Sequence, residues 1–194
     1  MCPFYTERPS SCFAVKFFPL RRRWPLSPVK AAPADADSGG VLVTNHVLAG
    51  AAIGALVKRP LPALAVGVVS HLAMDRIPHW GLSHEDRQGD PMKNPTFLRV
   101  AYRDGFAGLA AMGAAFGLAR GRRVPVLAGM VGAALLDLDK PSRHFFGMSP
   151  FPRSVDQFHC DIQQGREHAH KMRQELAVAA GLIGLVAGLC WSPK

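Results

Sequence analysis

The stretch SHLAMDRIPHW (70–80) closes an apolar run and sets His71, Asp75 and His79 at four-residue intervals. Imidazole and carboxylate groups find few partners in apolar surroundings, so each needs a reason to be there. On a helix, residues four apart share a face, which lets His71 and Asp75 reach a common ion. His79 would extend that stripe, but Pro78 is expected to end the helix first and leave His79 in a loop. The same residue types recur as His46 in TNHVL, Asp104 in YRDGF, and Asp137 and Asp139 in LLDLDK. Asp137 and Asp139 are two apart and cannot both point inward from a regular helix. One would bind an ion while the other caps the helix or orients a ligand, unless the helix unwinds before Pro141. In FHCDIQQGREHAHKM (158–172), His159 and Gln163, then Glu167 and Lys171, have the spacing of a short amphipathic helix. That segment could complete the site through His159 or His168, or lie on a membrane surface.

Imidazole and carboxylate together suit a divalent metal such as zinc or manganese, or iron. An ion with an open coordination position activates a water near neutral pH, and several carboxylates around two or more ions favour phosphoester substrates. Other chemistries lack support. The chain has no P-loop, no glycine-rich dinucleotide fingerprint and no G-x-S-x-G elbow.

Five apolar runs must position these residues: 41–57, 63–75, 104–119, 124–139 and 175–191. Length and Ala/Leu content make them helices, so the expected fold is an all-α bundle of about five short apolar helices. Crossing ~30 Å of hydrocarbon takes about 20 apolar residues, and these runs are somewhat short for that. Their uncharged stretches nevertheless favour a membrane-embedded bundle over a compact soluble one. Glycines recur at four-residue spacing in Gly50/Gly54, Gly113/Gly117 and Gly184/Gly188, a pattern that lets helix backbones approach closely. The tight connections KRPLP and RGRR make the first four helices alternate in direction. In that arrangement His46, His71, Asp75, Asp104, Asp137 and Asp139 fall at one end. The long polar connections 76–103 and 140–174, with His79, His84, His144, His159, His168 and His170, emerge at the same rim.

Residues 1–40 read as a separate, disordered, basic, proline-rich arm ahead of the helical domain 41–194, with a start assigned too early as the alternative. The arm lacks the charge-then-apolar order of a secretory signal, and its RRR at 21–23 could touch anionic lipid. With 194 residues, 48% of them apolar, and a net charge of +9, the chain fits one domain with an anionic partner. Lipid headgroups could take that role rather than nucleic acid, but the expected reading of the charge is a basic protein kept on the cytoplasmic side of a lipid bilayer. The four cysteines, Cys2, Cys12, Cys160 and Cys190, form no C-x-x-C pair and read as free thiols in a reducing compartment.

The motifs TNHVLAGAAIG, SHLAMDRIPHW, LLDLDK and FHCDIQ resemble the bacterial membrane-bound metal-dependent hydrolase family, over about residues 43–165. That family is itself distantly similar to the zinc-dependent phospholipase C and single-strand nuclease group. The resemblance implies a site at His46, His71, Asp75, His79, Asp137 and Asp139, in a bacterial inner membrane with the site facing the cytoplasm. Asn45 stands where the family has Thr before its His, Leu136 replaces a proline, and FHC replaces FHH. The expected function is a membrane-associated metal-dependent hydrolase of phosphoester or lipid-like substrates. His46, His71, Asp75, Asp137, Asp139 and His159 would hold the metal, and Asp104 or His79 would be a further ligand or general base. The alternative is a non-catalytic integral membrane protein with a structural or partner-binding role. A weaker third reading is a small transporter, which would need its ionisable groups deep in the bundle.

Overall fold

The computed structural model describes residues 41–82, 93–163, 166 and 168–191, so the expected arm at 1–40 and His84 lie outside the described residues. The described chain is all-helical, with a single backbone bridge at His79 and no longer strand. Seven α-helices occur among the described residues: α1 (Val43–Val57), α2 (Pro60–Asp75), α3 (Pro95–Leu118), α4 (Arg123–Ala134), α5 (Asp139–Phe146), α6 (Arg153–Gln163) and α7 (Met172–Trp191). Short 3-10 turns at Leu136–Leu138 and Ala169–Lys171 lead into α5 and α7.

The five apolar runs are α1, α2, α3, α4 and α7, and two further helices, α5 and α6, fill the connection expected to be a polar loop. Helix α6 meets the amphipathic helix expected within 158–172 at His159 and Gln163 but begins earlier, at Arg153, and its inward face is mostly polar: Asp156, His159, Cys160 and Gln163 follow a helical 3-4 spacing. Helix α3 starts at Pro95, nine residues before Asp104. Asn94 caps it, its side-chain oxygen accepting from Thr96 N at 2.8 Å and Phe97 N at 3.1 Å, and Pro95 suits the first helical position. Helix α2 likewise opens on a proline, and it stops at Asp75 ahead of Pro78, which leaves His79 outside the helix as expected. Cys190 is a free thiol, whereas Cys160 is not, which corrects the reading of four free thiols.

Helix α4 is the axle of the bundle, packed between α1 and α2. The contact is backbone against backbone. A Cβ on Gly50 would meet the Gly129 carbonyl, one on Gly54 the Pro125 carbonyl, and one on Gly132 the Leu64 carbonyl. A Cβ on Gly67 would sit 2.5 Å from the Gly129 oxygen and 2.9 Å from the Ala133 nitrogen. The pairs Gly50 with Gly129 and Gly54 with Pro125 run α1 antiparallel to α4. Around this seam the apolar core is built largely from small side chains, with Val47, Leu48, Ala51, Ala55, Val126 and Met130 buried. By contrast, Gly113, Gly117 and Gly184 face open space. Of the three glycine pairs read from the sequence, the one on α1 is used within the chain.

Among the described residues one helical stretch, Ala169–Trp191, is long and apolar enough to cross a membrane; α1, α2 and α4 are apolar but shorter. Placing a methyl group at the seam tests the packing. Gly129→Ala should lower stability by about 2 kcal/mol or more, since rigid backbone must move rather than a flexible side chain. Gly184→Ala, with open space around it, should be neutral or stabilise by up to about 1 kcal/mol through helix propensity. Thermal unfolding of the two variants beside wild type reads the difference.

Candidate metal centre

Four elements deliver the polar cluster. His46 lies in the first turn of α1, His71 and Asp75 in the last turn of α2, Asp137 in the 3-10 turn after α4, and His159 with Gln163 in α6. His46, His71 and Asp75 are fully buried and His159 is 3% exposed, while the Asp137 side chain keeps 11% exposure and marks the side open to solvent. His71 Nε2 lies 2.9 Å from His159 Nε2 and 3.1 Å from Asp75 Oδ2. His159 Nε2 is also 3.1 Å from Asp75 Oδ2. On the other carboxylate oxygen, Asp75 Oδ1 is 3.2 Å from His46 Nε2, and Asp137 Oδ2 stands 3.9 Å from that nitrogen. Two triads share His71: His46, His71 and Asp137, and His71, Asp75 and His159, each with donor atoms within 4.8 Å of one another.

The protons decide what this geometry can hold. His71 Nδ1 is 2.7 Å from the Ala133 carbonyl oxygen, an acceptor only, so Nδ1 carries the proton and donates. In neutral His71, Nε2 is then a bare lone pair aimed into the cluster, the arrangement that prepares a histidine to ligate. It faces a second imidazole nitrogen, and three nitrogens crowd Asp75 Oδ2, the third being Gln163 Nε2 at 2.8 Å. A proton on His159 Nε2 serves one acceptor, His71 Nε2 or Asp75 Oδ2, whereas a cation among these atoms serves all three at once. Adjacent donor spacings of 2.9–3.2 Å fit ligands at about 2.1 Å from one ion. Asp137 Oδ2 and Asp139 Oδ1 are buried and accept no hydrogen bond, a costly state for carboxylate oxygens without a cation.

Lys140 Nζ donates to Asp137 Oδ1 at 2.5 Å. Burial pushes the Asp137 carboxyl up, but Lys140 and the imidazoles of His71 and His46 outweigh it and hold it at about 2. Asp137 is therefore an anion, ready to ligate. Burial works against the Lys140 ammonium, yet Asp137, Asp139 and Asp75 leave its pKa above the ordinary lysine value. A brace holds the delivering segment: Arg143 donates to Asp156 Oδ2 at 2.5 Å and Ser149 Oγ to Asp156 Oδ1 at 2.8 Å, tying α5 to α6.

His46, His71, Asp75, Asp137 and His159 thus come together, and the other expected site residues stand apart from their triads. Asp104 caps α1 from across the bundle, accepting from Val43 N at 2.6 Å, Thr44 N at 3.2 Å and Thr44 Oγ1 at 2.6 Å. Helix α1 has no side-chain cap of its own, so this carboxylate supplies both acceptor and dipole partner. His79 is buried, its Nδ1 2.7 Å from the Ile77 carbonyl and its main chain bonded to Arg166 and His168. Its Nε2 has no partner. Asp139 opens α5 and is outside both triads, although its Oδ1 is buried. His168 stacks obliquely on His170, with ring centroids 5.4 Å apart. Sequence reasoning assigned no site role to Gln163, Lys140 or the buried Asn45–Glu175 pair, in which Asn45 Nδ2 donates to Glu175 Oε2 at 2.6 Å. Only Gln163 carried a signal, its four-residue offset from His159.

No family model matches this chain, and no curated protein or solved structure matches it. Fold and site together define an all-helical protein with a buried His/Asp cluster able to hold a metal ion. The cap on α1 gives a direct test. Asp104→Ala should cost about 1–2 kcal/mol of stability and leave metal content unchanged. Loss of bound metal from folded protein would return Asp104 to the ligand set.

Proposed function

We propose that this protein is a membrane-associated, metal-dependent hydrolase acting on a phosphoester or lipid-like substrate. The observation that carries the metal site is the pair of imidazole Nε2 atoms facing each other across Asp75, one with its tautomer fixed by the Ala133 carbonyl. His46, His71, Asp75, Asp137 and His159 would hold a divalent metal, zinc or manganese by donor type. A bound ion supplies an activated water and a Lewis acid for the phosphoryl oxygen. The chain's own contribution is to fix the donors and keep His46, His71 and Asp75 away from water, with Asp137 the most exposed of the group. Lys140, paired with Asp137 and 23% exposed, would set a positive charge beside an anionic substrate group.

Membrane association is supported by the surface of α7. Its apolar stretch is only 11% buried, unlike a core helix of a water-soluble bundle. Leu176, Ile183, Leu185 and Trp191 are exposed along it, and Phe106 and Leu109 on α3. Apolar exposure on this scale marks an interaction or membrane surface, and the net charge of +9 suits anionic headgroups.

A non-catalytic membrane protein is the second reading. It is favoured by the complete burial of His46, His71 and Asp75, which leaves little room for a substrate atom beside them. One set of measurements separates the two. Detergent-purified protein should carry near-stoichiometric metal by elemental analysis, lost in a folded His71→Ala/Asp75→Ala variant. It should hydrolyse a chromogenic phosphodiester, and a chelator should abolish that turnover. Metal without turnover across phosphoester substrates would favour the structural reading, and absence of metal would remove the hydrolase altogether.

A further inference from the structure

We propose that the end of the bundle opposite the metal cluster is a binding surface for the phosphate headgroups of anionic lipids. This rests on the membrane reading above and adds where the contact is made and by which charges. Arg122 Nη1 donates to the Ala55 carbonyl at 3.4 Å and to the Leu189 carbonyl at 3.3 Å, which gathers the last turns of α1 and α7 at the start of α4. The turn from α1 to α2 lies at this same end, because Gly54 packs on the Pro125 backbone. The two turns here, KRP and RGRR, carry Lys58, Arg59, Arg120, Arg122 and Arg123. Arg122 is engaged with the helix carbonyls, while Lys58, Arg59, Arg120 and Arg123 are exposed. No acid accompanies them, since residues 41–74, 105–136 and 176–191 contain neither Asp nor Glu. The basic residues of the cluster end, by contrast, are interspersed with Asp75, Asp104, Asp137, Asp139 and Asp156.

A bare cationic surface suits many polyanions; the apolar side chains set between these charges select lipid. Leu61, at 80% the most exposed large apolar side chain among the described residues, follows Arg59 and Pro60. Val124 follows Arg123, and Leu56 and Trp191 end α1 and α7, all three mostly exposed. The Arg123 guanidinium also lies over the Phe116 ring, 5.5 Å from its centroid. Cations with apolar neighbours and a terminal tryptophan match the boundary between headgroups and acyl chains, where each finds its own solvent. Nucleic acid offers nothing to Leu61 or Trp191. Arg120 and Arg123 line one recess together with Gly121, Val124 and Pro125. Guanidinium groups there can fork onto phosphate oxygens, as a lone ammonium does not. The surface is continuous with the exposed apolar side of α7, which ends at Trp191.

The experiment follows thermal unfolding of full-length protein in a neutral detergent with added phosphatidylglycerol, phosphatidylcholine or inorganic phosphate. Phosphatidylglycerol should raise the wild-type midpoint by several degrees beyond phosphatidylcholine, and inorganic phosphate should leave it unchanged. Lys58→Gln/Arg59→Gln/Arg120→Gln/Arg123→Gln should lose that extra shift, while Arg76→Gln/Arg99→Gln/Arg103→Gln, at the cluster end, should keep it. A second reading needs no variant: phosphatidylglycerol should slow acetylation of Lys58 in wild type, read by mass spectrometry, and spare that of Lys93. Equal shifts with both lipids would overturn the anionic surface and leave membrane association standing. An equal shift with inorganic phosphate, or an unprotected Lys58, would overturn the lipid contact at this end. No shift with either lipid would overturn the proposal together with membrane association, whereas the hydrolase is judged separately by its turnover.

Discussion

The constraint on which the rest depends is the backbone contact of α4 with α1 and α2. Gly50 and Gly54 on one side, and Gly67 on the other, admit the α4 backbone so closely that any Cβ would collide with it. Such approach multiplies weak dispersion contacts along both helices, and it fixes their register as larger side chains, which can change rotamer, do not. The metal cluster inherits that register. His46 is one helical turn before Gly50, and His71 is one turn after Gly67. The Ala133 carbonyl that orients His71 follows directly on Gly132, which is itself pressed against Leu64. Packing and tautomer control are one device, since moving α4 by an ångström would break both.

How much of this was legible follows from the same physics. The five apolar helices could be read because each carries an uninterrupted run of small and aliphatic residues, and their alternation placed His46, His71, Asp75 and Asp137 at one rim. Helix α5 could not, because it buries nothing, and α6 was legible only at its end, where His159 and Gln163 keep helical spacing, because it turns mostly polar residues inward. Asp104 illustrates a different limit. Its placement at the cluster's end of the bundle was readable, but its partner is the uncapped start of α1, a backbone feature that no residue type announces. The glycine pairs show a third. Equal spacing in α1, α3 and α7 carries equal signal, while only tertiary contact distinguishes the seam on α1 from the open faces at Gly113 and Gly184.

The cluster is expensive to keep. Asp75 and Asp137 sit in a bundle made largely of alanine, glycine and valine, and Asp137 is held ionised at about 2 by Lys140 and the imidazoles against the opposing effect of burial. Uncompensated buried carboxylates destabilise a fold by several kcal/mol, so a protein retaining them needs a counter-charge. Lys140 meets part of that need from the rim. The interior part, at Asp75, is met by imidazoles alone, and imidazoles answer it as cations only when protonated. A divalent cation would do so without protons, and its binding would then be linked to folding.

That linkage bears most on α6. Helices α1, α2 and α4 hold one another through the glycine seam, but α6 meets α2 sparsely. Its described attachments are largely polar: His159 and Gln163 to Asp75, and Asp156 to Arg143 and Ser149. A helix docked by polar contacts has little hydrophobic free energy to keep it in place, and its local stability is correspondingly low. An ion shared by His159 on α6 with Asp75 and His71 on α2 would be the strongest tie between that helix and the seam. A sparsely packed element would thus supply a ligand to the most rigid part of the bundle, on the side where Asp137 and Lys140 reach solvent. Loss of that ion would loosen the docking of α6 on α2 while leaving the glycine seam, and every donor on α1 and α2, in register.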